Sequence, residues 1–271
     1  MKLFTNKKKL QSELKKINNI SFVPTMGALH RGHESLIKKS VRDSKKTIVS
    51  IFLNPKQFDN KRDFYSYPKN YSNDIKILKR LKVNYLYKPG YDDIYKFKSE
   101  NKIFLDKFSK KLCGRNRKGH FKGVVNVVNR LLEIIKPKKI LLGMKDFQQL
   151  VLIKKHIKKN KIRTKVIQCK TIRDKNFIAY SSRLKKIKNY EKNILIKIIK
   201  FLIKYKKNII LGKTKYNFKK IKKQLLIMGA NKVDYVEIID LKTLKKPKKN
   251  KTKFNLFFAF HIGKVRFIDN F

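Results

Sequence analysis

The feature that most limits how this chain can fold is the alternation of short apolar runs with helical periodicity up to about Cys169. Apolar residues at helical spacing predict helices, and short β-branched runs predict buried strands. This rhythm predicts an α/β fold with a parallel sheet, helices on both faces, and ligands at the carboxyl ends of the strands. The predicted strands are Ile20–Pro24, Thr47–Leu53, Val83–Tyr87, Ile140–Met144 and Lys165–Gln168. The predicted helices centre on Leu36–Val41, Asp74–Leu81, Val124–Ile135 and Phe147–Ile157.

The rhythm changes after about Thr171, where two helical segments are followed by three strand-like segments. We therefore predict two domains, residues 1–171 and a smaller α+β domain of residues 172–271. The last two strands flank a short turn that contains Gly263 and suits a hairpin. The charge run Lys245–Lys253 is predicted to be a solvated loop. The predicted elements are Ile194–Tyr205, Phe218–Met228, Asp234–Asp240, Phe254–His261 and Val265–Asp269.

Charge is the most prominent feature of the composition. The chain has 271 residues, a formal net charge of +54 and 41% hydrophobic residues, a hydrophobic content too high for a disordered polycation. A nucleic-acid-binding protein concentrates its basic residues on one face or in a tail, whereas lysine here recurs along nearly the whole chain, from Lys7 to Lys264. We interpret the excess as an imprint of A+T-rich codons. Non-specific binding to nucleic acid or a membrane surface is the alternative.

The cysteines and the amino terminus indicate the compartment. Cys113 and Cys169 are too few for a disulfide framework and predict free thiols in a reducing environment. The first residues lack the apolar core and cleavage site of a signal peptide, and no apolar run is long enough to span a bilayer. These features predict a cytoplasmic protein.

The segment Phe22–His33 carries the most informative chemistry. It places His30 and His33 around Gly32, after a predicted strand and before a predicted helix. The unpaired N–H groups and positive dipole end of a helix that begins here favour phosphate binding. Two imidazoles could donate to phosphate oxygens, and Gly32 would let the phosphates approach the backbone. Spacing alone fits surface or metal-binding histidines about equally well, but the flanking strand and helix favour phosphate.

An ordered set of motifs resembles the pantothenate synthetase (pantoate–β-alanine ligase) family and covers essentially the whole chain. Each motif alone is weak, since the His-x-Gly-His element also occurs in other nucleotidyltransferases and in class I aminoacyl-tRNA synthetases. The ordered set is highly specific. The motifs are Pro24–His33, Ile51–Phe58, Gly119–Val124, Gly143–Gln149, Ser181–Arg183 and Asp234–Glu237, followed by the ending Ile268–Asn270.

The resemblance implies a Rossmann-like domain that binds ATP and pantoate, and a small α+β domain that acts as a lid. It also implies a homodimer, ATP as a substrate, and Mg²⁺ bridging the phosphates. In the implied reaction, pantoate and ATP form pantoyl adenylate and pyrophosphate. The amine of β-alanine then displaces AMP to give pantothenate.

The resemblance assigns catalysis to His33, His30, Lys145 and Arg183, which would meet the phosphates of ATP. Arg183 would neutralise the leaving pyrophosphate. The residues implied in ATP binding are Met26, Gly27, Ala28, Leu29, His30, Arg31, Gly32, His33, Gly143, Met144, Lys145, Asp146, Ile172, Tyr180, Ser181, Ser182 and Arg183.

The other substrates are assigned to amide side chains. Gln57, Gln149 and Asn54 would bind pantoate, because amides can hydrogen-bond hydroxyls and a carboxylate together. Gln57 would also bind β-alanine. Asp74 is the implied metal-side carboxylate.

Several positions depart from the family pattern. Met144 stands where an acidic or amide residue is usual, so only its backbone is expected to contribute. Asn176 and Phe177 replace an Asp-Gly turn. Because a bulky residue adopts positive φ only at a cost, that turn is expected to differ or to be strained. Lys118 and Leu184 replace Pro and Asn.

Two other functions stay open at this point. A different His-x-Gly-His enzyme, such as a cytidylyltransferase, would lack the paired glutamines Gln57 and Gln149. An RNA-binding module would need clustered lysines and stacking aromatic side chains along a groove, and the sequence indicates neither.

Overall fold

In the computed structural model, which describes residues 1–59, 61–247 and 254–271, the strands predicted up to Cys169 lie in one sheet. The strands are hydrogen-bonded in the order β1-β4-β3-β2-β5-β6, and every neighbouring pair is parallel. This confirms the α/β prediction. The strands are β1 (Lys2–Phe4), β2 (Ile20–Thr25), β3 (Lys46–Ile51), β4 (Tyr85–Tyr87), β5 (Lys139–Gly143) and β6 (Lys165–Cys169).

The strand order reverses between β2 and β5. From β2 the chain adds β3 and β4 on one side, whereas β5 and β6 lie on the other. Parallel strands end at the same edge of a sheet, and a reversal of strand order opens a crevice there. The segment that follows β2 contains His30 and His33, and the segment that follows β5 is Met144–Gln149. The segment that follows β3 contains Gln57, so the sheet brings three of the six motifs to one edge.

The described residues form two compact units. The first comprises Met1–Ser109 and Arg117–Ile172, and the second comprises Lys110–Asn116 and Arg173–Phe271. Helix α6 (Cys113–Asn116) belongs to the second unit. The helices of the first unit are α1 (Lys7–Leu14), α2 (Arg31–Asp43), α3 (Lys61–Tyr65), α4 (Tyr71–Arg80), α5 (Tyr91–Tyr95), α7 (His120–Ile135) and α8 (Phe147–Lys159).

Helix α7 organises the first unit. Its apolar face includes Val124, Val128 and Leu131, each at most 5% exposed. Burial of such a side chain contributes about 1.5–3 kcal/mol. The helix packs against α1, α5 and α8, and against the 3₁₀ turn Pro55–Gln57. It therefore holds that turn, which carries one of the predicted substrate-binding glutamines.

Besides α6, the second unit contains the helices α9 (Asn189–Ile210) and α10 (Phe218–Ile227) and a three-stranded antiparallel sheet. The sheet order is β7-β8-β9, with β7 (Lys232–Asp240), β8 (Phe254–Ile262) and β9 (Val265–Asn270). Strands β8 and β9 form the predicted hairpin, with Gly263 at positive φ in the turn. Of the predicted loop Lys245–Lys253, residues 248–253 lie outside the described part of the chain.

Several element boundaries differ from the sequence prediction. Strand β1 has three residues and α1 buries only Leu10 and Leu14, so neither shows a clear periodicity. Helix α4 begins three residues early because the side chain of Asn70 accepts the N–H of Asn73. Helix α9 has 22 residues and extends past both predicted ends.

Candidate active site

The loop after β2 is held in an unusual backbone conformation. Gly27 and Ala28 both have positive φ, 82° and 51°. Such a φ strains a residue that carries a Cβ. The strain at Ala28 is offset by Asp74 of α4, whose two carboxylate oxygens accept the N–H of Ala28 at 2.9 Å and of Leu29 at 2.7 Å. Asp74 is 1% exposed, so it fixes the approach of the loop to α2 from inside the protein.

These contacts give Asp74 a structural role. A carboxylate that is 1% exposed, and whose two oxygens each accept a backbone N–H, is poorly placed to reach a solvent-borne ion. The sequence-based assignment of Asp74 to a metal therefore has no support in the structure. Within residues 1–59, 61–247 and 254–271, no group of three or more His, Cys, Asp or Glu side chains could hold a metal ion.

His30 begins α2 as its N-cap residue. Its extended backbone lets Nδ1 accept the N–H of Gly32 at 3.1 Å, which satisfies one of the donors that a helix start leaves unpaired. Because Nδ1 is an acceptor, the proton of the neutral ring is on Nε2. The sequence predicted a helix start at this motif, and the structure places it at Arg31.

His33 is the third residue of α2, and its ring centroid lies 4.0 Å from that of His30. Burial lowers the pKa of His33 to about 4, against an opposing effect of the Asp146 carboxylate. Its buried Nδ1 has no hydrogen-bond partner among the described residues. A neutral imidazole with an unsatisfied buried nitrogen favours a polar ligand. The structure thus brings the two predicted histidines together at a helix N-terminus.

The segment after β5 completes this edge of the sheet. Met144–Asp146 forms a 3₁₀ turn that leads into α8. Lys145 Nζ lies 3.1 Å from Asp146 Oδ1, and the side chains are 19% and 46% exposed. Both side chains influence the pKa of His33, so they lie within electrostatic range of the histidine pair. A lysine beside a helix N-terminus supplies positive charge for phosphate oxygens.

The predicted pantoate glutamines lie on two different elements. Gln57 closes the 3₁₀ turn after β3 and is partly buried, and its Nε2 contacts the sulfur of Met26 in the predicted ATP motif. Gln149 lies in the first turn of α8 and is also partly buried. The structure therefore joins Gln57 directly to the loop after β2, and places Gln149 three residues after Asp146, in the helix that follows the Met144–Asp146 turn.

Asn54 is a buried support for Gln57. It is 1% exposed, and its Nδ2 donates to Gly123 O at 3.1 Å and to Gln57 Oε1 at 3.4 Å. Its Oδ1 accepts the N–H of Lys56 at 3.2 Å and the hydroxyl of Tyr95 at 2.8 Å. With its donors and acceptor engaged, Asn54 is suited to orient Gln57 rather than to meet a substrate itself.

The loop before α7 holds the backbone of Gln57. His120 Nδ1 lies 2.7 Å from Gln57 O, so this nitrogen carries the proton. His120 Nε2 lies 3.1 Å from Arg117 Nη1, and Arg117 also donates to Gln57 O and to Asp59. The sequence analysis identified the motif Gly119–Val124 but assigned no role to His120. That role depends on a contact with Gln57, which is distant in the chain.

The remaining predicted ATP residues lie mostly in the second unit. Ile172 is the last residue of the first unit. Tyr180 and Ser181 precede a 3₁₀ turn that begins at Ser182 and contains Arg183. Ser182 is buried, and the other three side chains of Tyr180–Arg183 are partly exposed.

The turn before this segment confirms the expected strain. Phe177 has a φ of 63° and is 58% exposed. The carboxylate of Asp174 accepts the N–H groups of Asn176 and Ile178, both at 2.9 Å. These bonds hold the turn in the form that the missing glycine would adopt more easily.

The described helices include none that is both long and apolar enough to cross a membrane.

Comparison with known sequences identifies relatives over nearly the full length. The family model described as pantoate-β-alanine ligase matches residues 2–271. The pantothenate synthetase of Pseudothermotoga lettingae is 37% identical, over 97% of this chain and 94% of its own. That of Flavobacterium psychrophilum is 38% identical, over 93% of this chain and 90% of its own.

Solved structures agree with the sequence comparison. The pantoate-β-alanine ligase of Francisella tularensis, crystallised with β,γ-ATP and β-alanine, has a TM-score of 0.85 and 37% identity, covering 100% of this chain and 97% of its own. The pantothenate synthetase of Thermus thermophilus has a TM-score of 0.90 and 26% identity, covering 100% and 99%. Fold, motif order and full-length similarity coincide, and the chain belongs to the pantoate–β-alanine ligase family.

Proposed function

We propose that this protein condenses pantoate with β-alanine to form pantothenate, coupled to cleavage of ATP into AMP and pyrophosphate. The observation that carries the proposal is the arrangement at one edge of the sheet. His30 and His33 open α2 there, and Lys145 and Asp146 precede α8. Family membership supports the reaction, and the relative from F. tularensis was crystallised with β,γ-ATP and β-alanine.

The first step activates the pantoate carboxylate. One carboxylate oxygen attacks the α-phosphorus of ATP, and the bond from that phosphorus to the bridging oxygen of pyrophosphate breaks. Negative charge grows on the leaving pyrophosphate. The Lys145 ammonium and the N–H groups at the start of α2 suit that charge, and the imidazoles of His30 and His33 can each donate an N–H.

The second step forms the amide bond. The amine nitrogen of β-alanine attacks the acyl carbon of pantoyl adenylate, the bond to the AMP oxygen breaks, and a proton leaves the nitrogen. Because the acyl group is already activated, holding the two reactants in line is the main requirement. Gln57 and Gln149 are proposed to hold pantoate, with Asn54 supporting Gln57. Gln57 is also proposed to contact β-alanine.

The family motif also motivates roles in the second unit. Tyr180, Ser181, Ser182 and Arg183, together with Ile172 of the first unit, are proposed to bind ATP. Arg183 is the member suited to neutralise phosphate charge, because a guanidinium can form paired hydrogen bonds to phosphate oxygens.

The family resemblance motivates three further proposals. Mg²⁺ is proposed to enter as the counter-ion of the ATP phosphates, as a hard cation that prefers oxygen ligands. The protein is proposed to be a homodimer, which light scattering in solution would test. A cytoplasmic location is proposed because both cysteines are free thiols.

The proposed reaction is tested by incubating the purified protein with ATP, pantoate and β-alanine. We expect AMP, pyrophosphate and pantothenate in equal amounts. Without β-alanine, pyrophosphate release should stop after about one equivalent per active site, because the adenylate stays bound. Formation of ADP, or turnover without β-alanine to a stable nucleotide product, would contradict the proposal and favour another nucleotidyltransferase.

A further inference from the structure

A hydrogen-bonded chain runs from Tyr95 of α5 to the substrate-binding turn. The hydroxyl of Tyr95 donates to Asn54 Oδ1 at 2.8 Å, and Asn54 Nδ2 donates to Gln57 Oε1 at 3.4 Å. We propose that Tyr95 is a positioning residue for pantoate, which acts by fixing the Asn54 amide that orients Gln57. This inference rests on the proposed function, because it assigns Tyr95 to the pantoate site of that reaction.

The direction of these hydrogen bonds follows from the backbone around Asn54. The N–H of Lys56 points to Oδ1 at 3.2 Å, and Nδ2 faces the carbonyl of Gly123 at 3.1 Å. Rotating the amide by half a turn would set donor against donor and acceptor against acceptor. Since Oδ1 can only accept, the Tyr95 hydroxyl is the donor. Burial raises the pKa of Tyr95 to about 12, so the hydroxyl keeps its proton at neutral pH.

The ring of Tyr95 is itself held on several sides. Lys56 Nζ lies 4.0 Å from the ring centroid, the Arg130 guanidinium 5.3 Å away, and the Tyr91 ring 4.7 Å away. Arg130 of α7 also donates to Ile94 O at 3.1 Å, which ties α5 to α7. A hydroxyl on a ring held in this way is a fixed donor, so its hydrogen bond to Asn54 requires little further ordering.

The consequence for Gln57 is a defined amide orientation. Asn54 Nδ2 occupies one acceptor position on Gln57 Oε1. The other position on that oxygen remains available to a hydroxyl of pantoate. If the Tyr95 hydroxyl is absent, Asn54 keeps its backbone partners but loses the contact that holds it from the α5 side. Gln57 should then sample more orientations, and pantoate binding should weaken more than ATP binding.

The test compares Tyr95→Phe with Tyr91→Phe, which removes the same atom from the neighbouring tyrosine of α5. Tyr91 is 45% exposed, so its variant controls for loss of a hydroxyl from this helix. For Tyr95→Phe we expect the KM for pantoate to rise about tenfold, as for loss of one net hydrogen bond. The KM for ATP and the melting temperature should stay close to those of Tyr91→Phe. In an Asn54→Ala background, Tyr95→Phe should have little further effect.

The outcomes separate the inference from the proposed function. An active wild-type enzyme with equal pantoate KM in both tyrosine variants would overturn the role of Tyr95 alone. So would equal increases in the pantoate and ATP KM values, or a full additional loss in the Asn54→Ala background. A wild-type protein that forms no pantothenate would overturn the proposed function, and the inference with it.

Discussion

At the scale of single residues, the imidazoles around the candidate site are distinguished by their neighbours. His30 accepts an N–H through Nδ1 and therefore carries its proton on Nε2, whereas His120 faces a carbonyl through Nδ1 and carries its proton there. Burial lowers the pKa of His33 to about 4, so this ring is neutral at physiological pH. The sequence identifies the histidines, but their proton positions depend on contacts that only the folded chain supplies.

The small size of Gly123 sets the geometry of the turn Pro55–Gln57, which carries the proposed pantoate ligand Gln57. A Cβ at this position would lie 2.0 Å from Lys56 O and 2.9 Å from Gln57 Cα, closer than real contacts allow. We expect Gly123→Ala to displace the turn, to lower the free energy of unfolding by about 1–3 kcal/mol, and to raise the KM for pantoate. Urea unfolding and steady-state kinetics would measure both effects.

Gly90→Ala is the matched control for this substitution. A Cβ on Gly90 would meet nothing within 4 Å, so only a small effect at the start of α5 is expected. Equal stability and equal pantoate KM in the two variants would show that the close packing of Gly123 does not set the position of Gln57.

Phe177 provides a test of stored backbone strain in the second unit. With a φ of 63° and 58% of its surface exposed, it has strain to release and little packing to lose. A positive φ costs a residue with a Cβ roughly 1–2 kcal/mol, and the greater freedom of glycine in the unfolded chain offsets part of that. We expect Phe177→Gly to raise the free energy of unfolding by about 0.5–1 kcal/mol in urea titrations. Phe177→Ala keeps the Cβ and should give no such gain; an equal gain would attribute the effect to the ring.

At the scale of elements, periodicity predicts the parts of the fold that bury continuous apolar faces. Strands β2 to β5 and helix α7 match the prediction because each buries several apolar side chains. Strand β1 is not predicted, because three residues at the edge of a sheet are too few to show an alternation of apolar and polar side chains. The early start of α4 depends on the cap at Asn70, a local hydrogen bond that outweighs the apolar periodicity.

The sequence predicts the candidate site only where the functional side chains lie in one continuous segment. The motif at His30 and His33 could be found because a strand, a loop and a helix start follow one another in the chain. The roles of Tyr95 and Gly123 could not, because they arise where α5 and α7 meet the turn Pro55–Gln57. Contacts between distant segments leave no spacing pattern in a single sequence.

His30 caps helix α2 and is also proposed to donate to the phosphates of ATP, and two substitutions can separate these roles. His30 caps the helix through Nδ1, and asparagine caps equally well without an imidazole. We expect His30→Asn to keep the wild-type stability but to slow pyrophosphate release, whereas His30→Ala should also lose about 1 kcal/mol of unfolding free energy. Urea titration and a pyrophosphate assay measure the two effects. Wild-type rates in His30→Asn would confine His30 to capping.

At the scale of the whole molecule, the distribution of acids bears on the origin of the charge. The chain has 18 acidic residues against 72 lysines and arginines, yet the buried acids include Asp74, Glu191, Asp240 and Asp269. Acids are rarely buried without partners, and each of these accepts at least one backbone N–H. Buried acids with structural contacts thus persist in a lysine-rich chain. This agrees with a compositional origin for the charge of +54.

The titration of the histidines gives the molecule a predicted dependence of stability on pH. Burial lowers the pKa values of His33, His156 and His261, although Asp234 opposes the effect at His261. The unfolded chain binds a proton at each of them near pH 6.5, and the folded chain binds it only at lower pH. The free energy of unfolding should therefore fall as the pH drops from 7 to 5. Protonation of carboxylates reduces the stability further at lower pH. Burial alone would raise the pKa of Asp59, but the Arg117 guanidinium outweighs burial and holds this pKa below its usual value.

His33 should account for a separable part of this loss. Its folded pKa of about 4 corresponds to about 1 kcal/mol between pH 7 and pH 5, with allowance for the solvent that its half-buried ring retains. Urea titrations at these two pH values should show a smaller difference for His33→Gln, which cannot titrate, than for the wild type. Equal pH differences in the wild type and His33→Gln would mean that the ring is as easily protonated in the folded chain as in the unfolded one, and that burial does not keep it neutral.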